Sequence, residues 1–265
     1  MIFSFQYFIL RQFSRIFVPT INLINQFMEF KATLLKLSLL LFVSALCAQP
    51  PARPAELWAF RSVIDGEPRM LTLKLHKDVT VAYDTENCTL YKVWNGTVEL
   101  LGAVYNQKHG PQPISTGKDY FINQHRKNAW HIAKNSTSQP AKVQFEGYRF
   151  DNGQIELRYS IKIDSTTKCT ILERPEYVQK NGKSGLERKY TAVGVPLGVQ
   201  ILLYNQASGQ TSPADLVITG NWQTETKTEI FAPWGSYRSE TGKLIFTASA
   251  ASQSIITLFD PRIVQ

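Results

Sequence analysis

Asp84 and Glu86 lie two residues apart. On an extended strand such a spacing puts both carboxylates on one side, where they could serve as acid and base in a single cleft. The string Asp-Thr-Glu-Asn is also turn-forming, so a solvated turn is the competing reading. Glu173 and Glu176 form a second carboxylate pair. His109, just before Gly110-Pro111, is the one unusual histidine. His76, His109, His125 and His131 show neither H-x-x-x-H nor H-x-H spacing, so no metal site is expected. The chain has no G-x-S-x-G elbow, no glycine-rich phosphate loop and no cysteine near a histidine, which leaves nucleophilic catalysis without a motif. A c-type haem needs C-x-x-C-H, and that string is absent, so no cofactor is expected.

Aromatic residues offer a different chemistry. Trp58, Trp94, Trp130, Trp222 and Trp234, with Tyr83, Tyr91 and Tyr105, could present stacking platforms for sugar rings. They serve equally as core fillers, each with a polar tip that needs a partner. The binding surface read from the sequence is Tyr83, Asp84, Tyr91, Trp94, Tyr105 and His109, with Arg61 and Arg69. The two arginines could instead lay their stems over sheet edges.

The segments that must position these residues are short, alternating and β-branched. They include 57–64, 69–76, 79–84, 89–94, 142–150, 154–163, 198–204, 214–220, 243–248 and 254–259. No ten-residue stretch carries an apolar stripe of helical period, so the pattern predicts an all-β chain, a large antiparallel β-sandwich. Asn152-Gly153 predicts a two-residue type I′ hairpin flanked by Phe150 and Ile155, with Tyr148 and Leu157 farther along. Glu240-Thr241-Gly242 is a second turn signal. Other breaks fall at 109–118, 134–140, 179–185 and 205–213, none long enough for an interdomain linker.

Residues 37–46, LSLLLFVSAL, follow Lys31 and Lys36 and lead into CAQPPARP, the order of a secretory signal. Ten apolar residues are too few for a membrane span. Cleavage is expected after Ala48, with cleavage after Cys47, or a lipid anchor on Cys47, as alternatives. Met28 would start a signal of ordinary length, so residues 1–27 read as an early start codon or an amphipathic leader. A single β-sandwich domain is then expected over 49–265, periplasmic or secreted, with no integral span. The whole chain has 265 residues, 29 Lys+Arg against 21 Asp+Glu and three cysteines. Arg11, Arg15, Lys31, Lys36 and Glu29 fall in the leader, which lowers the basic excess by three. The remainder is dispersed along the chain, not the clustered stripe of a nucleic-acid binder. Cys88 and Cys169 remain, either bridged across a loop of about 80 residues, worth about 4 kcal/mol in the chain-entropy model, or buried as free thiols. Three Asn-x-Ser/Thr sites, at Asn87, Asn95 and Asn135, matter only in a eukaryotic secretory pathway, whereas the signal reads as bacterial.

The strings FRSVIDGEPRMLTLKL, VAYDTENCTLYKVWNG, GAVY and HGPQP within 56–113, and ERKYTAVGVPLGV at 187–199, carry a resemblance. They resemble the N-terminal β-rich accessory region of exported bacterial multidomain c-type cytochrome and sorbosone-dehydrogenase-like proteins. The resemblance implies an accessory β domain, with electron transfer belonging to a partner because the haem motif is missing here. It carries no catalytic residues with it.

Three functional readings follow. The first is an exported, non-catalytic binding or accessory domain whose partner is a saccharide or a redox protein. The second is a carbohydrate-active enzyme of large-sandwich type using Asp84 or Glu86 with His109. The third is an envelope scaffold.

Overall fold

Short alternating strands can bury their apolar sides only by stacking sheet on sheet, and the computed structural model is built in this way. It describes residues 57–123, 126–205, 214–232 and 235–259, and most of a short helical stretch at 28–36. The signal and cleavage site expected at 37–48 lie outside the described residues, as do 1–27, His125, Trp234 and nearly all of the 205–213 break. Residues 54–265 form one unit and residues 1–53 another. Among the described residues, no helix is long and apolar enough to cross a membrane, a statement that does not bear on β-barrels.

The strands are β1 (Trp58–Ile64), β2 (Glu67–His76), β3 (Val79–Asp84), β4 (Thr89–Glu99), β5 (Ile114–Ile122), β6 (Trp130–Lys134), β7 (Thr137–Pro140) and β8 (Lys142–Asp151). They continue with β9 (Gln154–Lys162), β10 (Lys168–Lys180), β11 (Lys183–Val193), β12 (Val199–Asn205), β13 (Ala214–Thr219), β14 (Trp222–Ala232), β15 (Gly235–Phe246) and β16 (Ser252–Phe259). The first sheet runs β1-β2-β3-β4-β5, the second β13-β16-β11-β10-β9-β8, and the third β14-β15-β12-β6-β7. All pairings among the described residues are antiparallel, as an all-β sandwich commonly shows.

One main core joins the three sheets. Leu71, Val81 and Tyr83 enter it from the first sheet, Leu157, Tyr159 and Ile171 from the second, and Trp130, Ile201 and Phe246 from the third. The Trp130 indole N–H donates to the Cys88 carbonyl at 2.8 Å and so ties the third sheet to the β3–β4 turn of the first. The first sheet is covered on its other side too. There Trp94, Tyr91, Met70, Ile64 and Val98 form a smaller cluster, and the Val63 N–H of β1 and the Asp65 N–H of its turn donate to the Val104 and Pro113 carbonyls of the β4–β5 connection.

The expected hairpin is present: Asn152 and Gly153 have φ of 49° and 77°, with Phe150 opposite Ile155 and Tyr148 opposite Leu157. Asn181-Gly182 repeats the device between β10 and β11. The turn expected at Glu240-Thr241-Gly242 is not formed. β15 runs through it, because its partner β14 takes up the irregularity at Thr224/Thr226 and Gly242 lets the Trp222 ring lie against the backbone.

Candidate functional site

Along β6, β12 and β15 the inward residues Trp130, Ile132, Ile201, Leu203, Leu244 and Phe246 are committed to the core. Alternation therefore turns His131, Ala133, Gln200, Leu202, Lys243 and Ile245 to the opposite face. Cross-strand register sets them in rows: Ala133 opposite Gln200, Leu202 opposite Ile245, and Lys243 opposite Gln223 of β14. The result is a concavity of about 520 Å³. Ala133, Leu202 and Ile245 give it an apolar floor, while Gln200, Gln223, Ser138, Asn135, Ser136, Thr247 and Ser249 surround that floor with amides and hydroxyls.

Three turns build the rim. Asn135 and Ser136 take φ of 49° and 66° at the tip of the β6–β7 hairpin, a tight reversal that asparagine tolerates. Before β12, the Val199 N–H donates to the Pro196 carbonyl at 3.2 Å and Gly198 sits at φ 75°, which leaves Leu197 90% exposed on the crest. Between β15 and β16, Thr247 and Ala250 exchange backbone hydrogen bonds. No carboxylate lines the concavity among the described residues. Lys243 is its inner cation. Burial works against the ammonium form, but the hydrogen-bonded pair with Glu225 at 3.3 Å and the Tyr204 hydroxyl outweigh it and hold the pKa above the ordinary lysine value.

The residues expected from the sequence to form one surface are dispersed instead. Tyr83 is buried between the sheets and donates to Glu173 Oε1 at 2.7 Å. Trp94 is fully buried on the opposite side of the first sheet, its indole N–H donating to the Thr97 carbonyl at 3.0 Å. Tyr91 is buried beside it beneath the Arg126 guanidinium, 4.5 Å from the ring centroid. Arg61 is exposed, 5.5 Å over the Phe145 ring, and Arg69 is exposed and paired with Glu86 at 3.1 Å. Tyr105 and His109 are exposed in the β4–β5 connection, His109 within a one-turn 3₁₀ helix. The packing alternative for the aromatics therefore holds for Tyr83, Tyr91, Trp94 and Trp130.

Asp84 and Glu86 do not share a cleft. Asp84 Oδ1 accepts from the backbone N–H of Glu86 at 2.8 Å and of Asn87 at 3.1 Å, while Oδ2 accepts from the Asn87 amide at 2.7 Å and pairs with Arg126 at 3.1 Å. It caps the β3–β4 turn, and Glu86 lies outside on solvent. Cys88 and Cys169 are both buried and unbridged, Cys88 in the β3–β4 turn and Cys169 on β10 of the second sheet. Burial pushes the Cys88 thiol up, helped by Asp84 and Glu173, and pushes Cys169 up to about 11. Among the described residues no group of three His, Cys, Asp or Glu side chains is placed to hold a metal ion.

Sequence reasoning missed the buried partner of Tyr83. Glu173 is completely buried and also accepts from Tyr159 at 2.8 Å and Arg188 Nε at 2.7 Å. Glu176, three residues on, faces the other way and pairs with Lys189 at 2.7 Å. Three residues on a strand place two side chains on opposite faces, which is why these carboxylates never meet.

No protein-family model matches this chain, and no curated protein sequence matches it. Among solved structures it is similar to the 4-alpha-glucanotransferase of Thermococcus litoralis, at 7% identity and a TM-score of 0.34, over 77% of this chain and 39% of that one. The chain thus spans well under half of that protein's length, and a likeness this slight carries no argument.

Proposed function

We propose that the β unit is an exported, non-catalytic binding module whose third-sheet concavity takes a saccharide, in the service of an exported redox or sugar-oxidising partner. The observation that carries this reading is the lining of the concavity. A sugar ring has an apolar face and a hydroxyl edge, and the floor of Ala133, Leu202 and Ile245 within a rim of amides and hydroxyls complements both. Its volume of about 520 Å³ falls in the range of ligand pockets, roughly 300–1,000 Å³. The lining offers hydrogen bonds and two lysines, the paired Lys243 and the exposed Lys134, but no acid–base couple, which favours binding over turnover. The association with a redox partner rests on the resemblance of residues 56–113 alone.

Glycan-array screening of the protein, followed by calorimetric titration of the best ligand, tests the reading. Gln200→Ala and Gln223→Ala are each expected to weaken binding about two- to tenfold, the worth of one hydrogen bond. Trp94→Phe, on the far side of the first sheet, is expected to leave the affinity unchanged. Affinity indifferent to both glutamines, or release of a cleaved product from the bound glycan, would overturn the proposal.

A further inference from the structure

The outer face of the second sheet holds a row of three lysines that the chain separates by 20 and 6 residues. Lys142 of β8 is opposite Lys162 of β9, and Lys162 is opposite Lys168 of β10. Directly opposite residues bring Cβ atoms within about 5.5 Å, and like charges placed so are destabilising. All three side chains are exposed, and β8 is the edge of its sheet. The next rung is Gln144 and Ser160. Together with Asp164 and Ser165 of the β9–β10 turn, these residues line a hollow of about 200 Å³.

The arginines of this face are neutralised and the lysine row is not. Arg149 pairs with Glu156 at 2.8 Å, Arg174 with Glu156 at 2.7 Å and Asp151 at 2.8 Å, and Arg158 with Glu146 at 2.9 Å. No carboxylate within ion-pair distance of Lys142, Lys162 or Lys168 is found among the described residues. Asp164 is the one acid in the hollow, and its Oδ1 is taken up by its own turn. It accepts from the Thr166 N–H at 2.9 Å, the Thr166 hydroxyl at 3.0 Å and the Thr167 N–H at 2.8 Å. Those hydrogen bonds hold its carboxyl down to about 2, so it stays ionised. Three ammonium groups against one fixed carboxylate leave a local excess of two positive charges.

We propose that this row is a binding site for a dianionic oxyanion, inorganic sulfate or phosphate or a phosphate monoester, bridging the three ammonium groups with the Gln144 amide and Ser165 hydroxyl as neutral partners. A dianion matches the local excess, and one group of three or four oxygens can relieve the repulsion across all three strands where a monovalent ion relieves only part of it. The site lies on a different sheet from the concavity and does not depend on it.

The experiment titrates inorganic sulfate, inorganic phosphate, glucose 6-phosphate and, as the uncharged control, glucose into the full-length protein. Sodium chloride holds the ionic strength constant, so that general screening does not change. Saturable binding of the dianions at one site is expected, weakened about three- to fivefold by each of Lys142→Gln, Lys162→Gln and Lys168→Gln, as for exposed ion pairs. The triple variant is expected to melt no lower than wild type in chloride, since it loses only repulsion. A tighter fit for glucose 6-phosphate than for the free ions would identify an esterified saccharide as the source, and equal affinity a free ion. Sulfate acting no differently from chloride, or a triple variant that binds like wild type, would overturn the proposal. So would dianion binding that is lost in Gln200→Ala and kept in the triple lysine variant.

Discussion

Glu173 illustrates how a single side chain can be misread from its neighbours in sequence. Next to Glu176 it looks like half of a catalytic couple, yet it is the anionic centre of the core, bound by Arg188, Tyr83 and Tyr159. Taking one partner from a buried ion pair strands the other. Glu173→Leu is therefore expected to cost about 3–5 kcal/mol, and Glu173→Leu with Arg188→Met to recover most of it; urea unfolding curves of the single and double variants measure this. The same burial, with the Glu173 charge beside them, raises the hydroxyl pKa of Tyr83, Tyr159 and Tyr190 well above 10.0. In the unfolded chain these groups titrate near 10.0, so the folded state retains more protons above that pH. Stability is thus expected to be intact below about pH 10 and to fall as pH rises beyond it, while tyrosine absorbance reports ionisation of only the accessible rings until unfolding. Both thiols belong with this group. Cys88 and Cys169 are expected to resist iodoacetamide at pH 8 in the native protein and to react together in denaturant; rapid native labelling of either would contradict the burial described.

Strands and turns were the most legible level. Asn152-Gly153 needs left-handed backbone at both positions, few residues supply it, and so both the hairpin and its register could be read directly. Closer approach of backbones was not legible. Gly96 of β4 and Gly117 of β5 face each other, and a side chain on either would collide with backbone of the other strand, the Thr116 carbonyl in one case and the Asn95 carbonyl in the other. The Gly96 carbonyl also accepts from Lys74 Nζ at 2.6 Å and from the Thr80 hydroxyl at 2.7 Å. Gly117→Ala is accordingly expected to destabilise the protein by more than the roughly 1 kcal/mol of an ordinary glycine substitution, whereas Gly153→Ala costs about 1–2 kcal/mol through its backbone angle alone. Thermal melts of the two variants side by side show what the collision adds at Gly117 to the strain that both positions carry, with φ of 116° and 77°. Glu240-Thr241-Gly242 failed as a turn signal because glycine there makes room for the Trp222 ring inside a continuous strand.

The second sheet contributes one face to a core shared with the first and third sheets, so none of the three can part without exposing the others. Unfolding of residues 54–265 is expected to be a single transition. Fluorescence from Trp130 in the main core and from Trp94 in the smaller cluster should follow the same curve as the far-ultraviolet signal; separate midpoints would mean that the first sheet unfolds alone. Pairing of distant strands, such as β6 with β12 and β11 with β16, also predicts slow folding, in the millisecond-to-second range of β-rich topologies.

The all-β class, most strand positions and the Asn-Gly hairpin could be read from the linear chain, because alternation and left-handed turns are local consequences of side-chain type. Which aromatic residues would be hidden, and which polar ones would meet, could not. Tyr83, Tyr91 and Trp94 have the composition of a sugar platform, but both faces of the first sheet are covered. The third-sheet concavity is built of ordinary glutamines, serines and aliphatic residues that carry no motif, and register alone brings them together. Lys142, Lys162 and Lys168 form a row for the same reason: strand pairing sets neighbours by hydrogen-bond register, to which distance along the chain gives no guide.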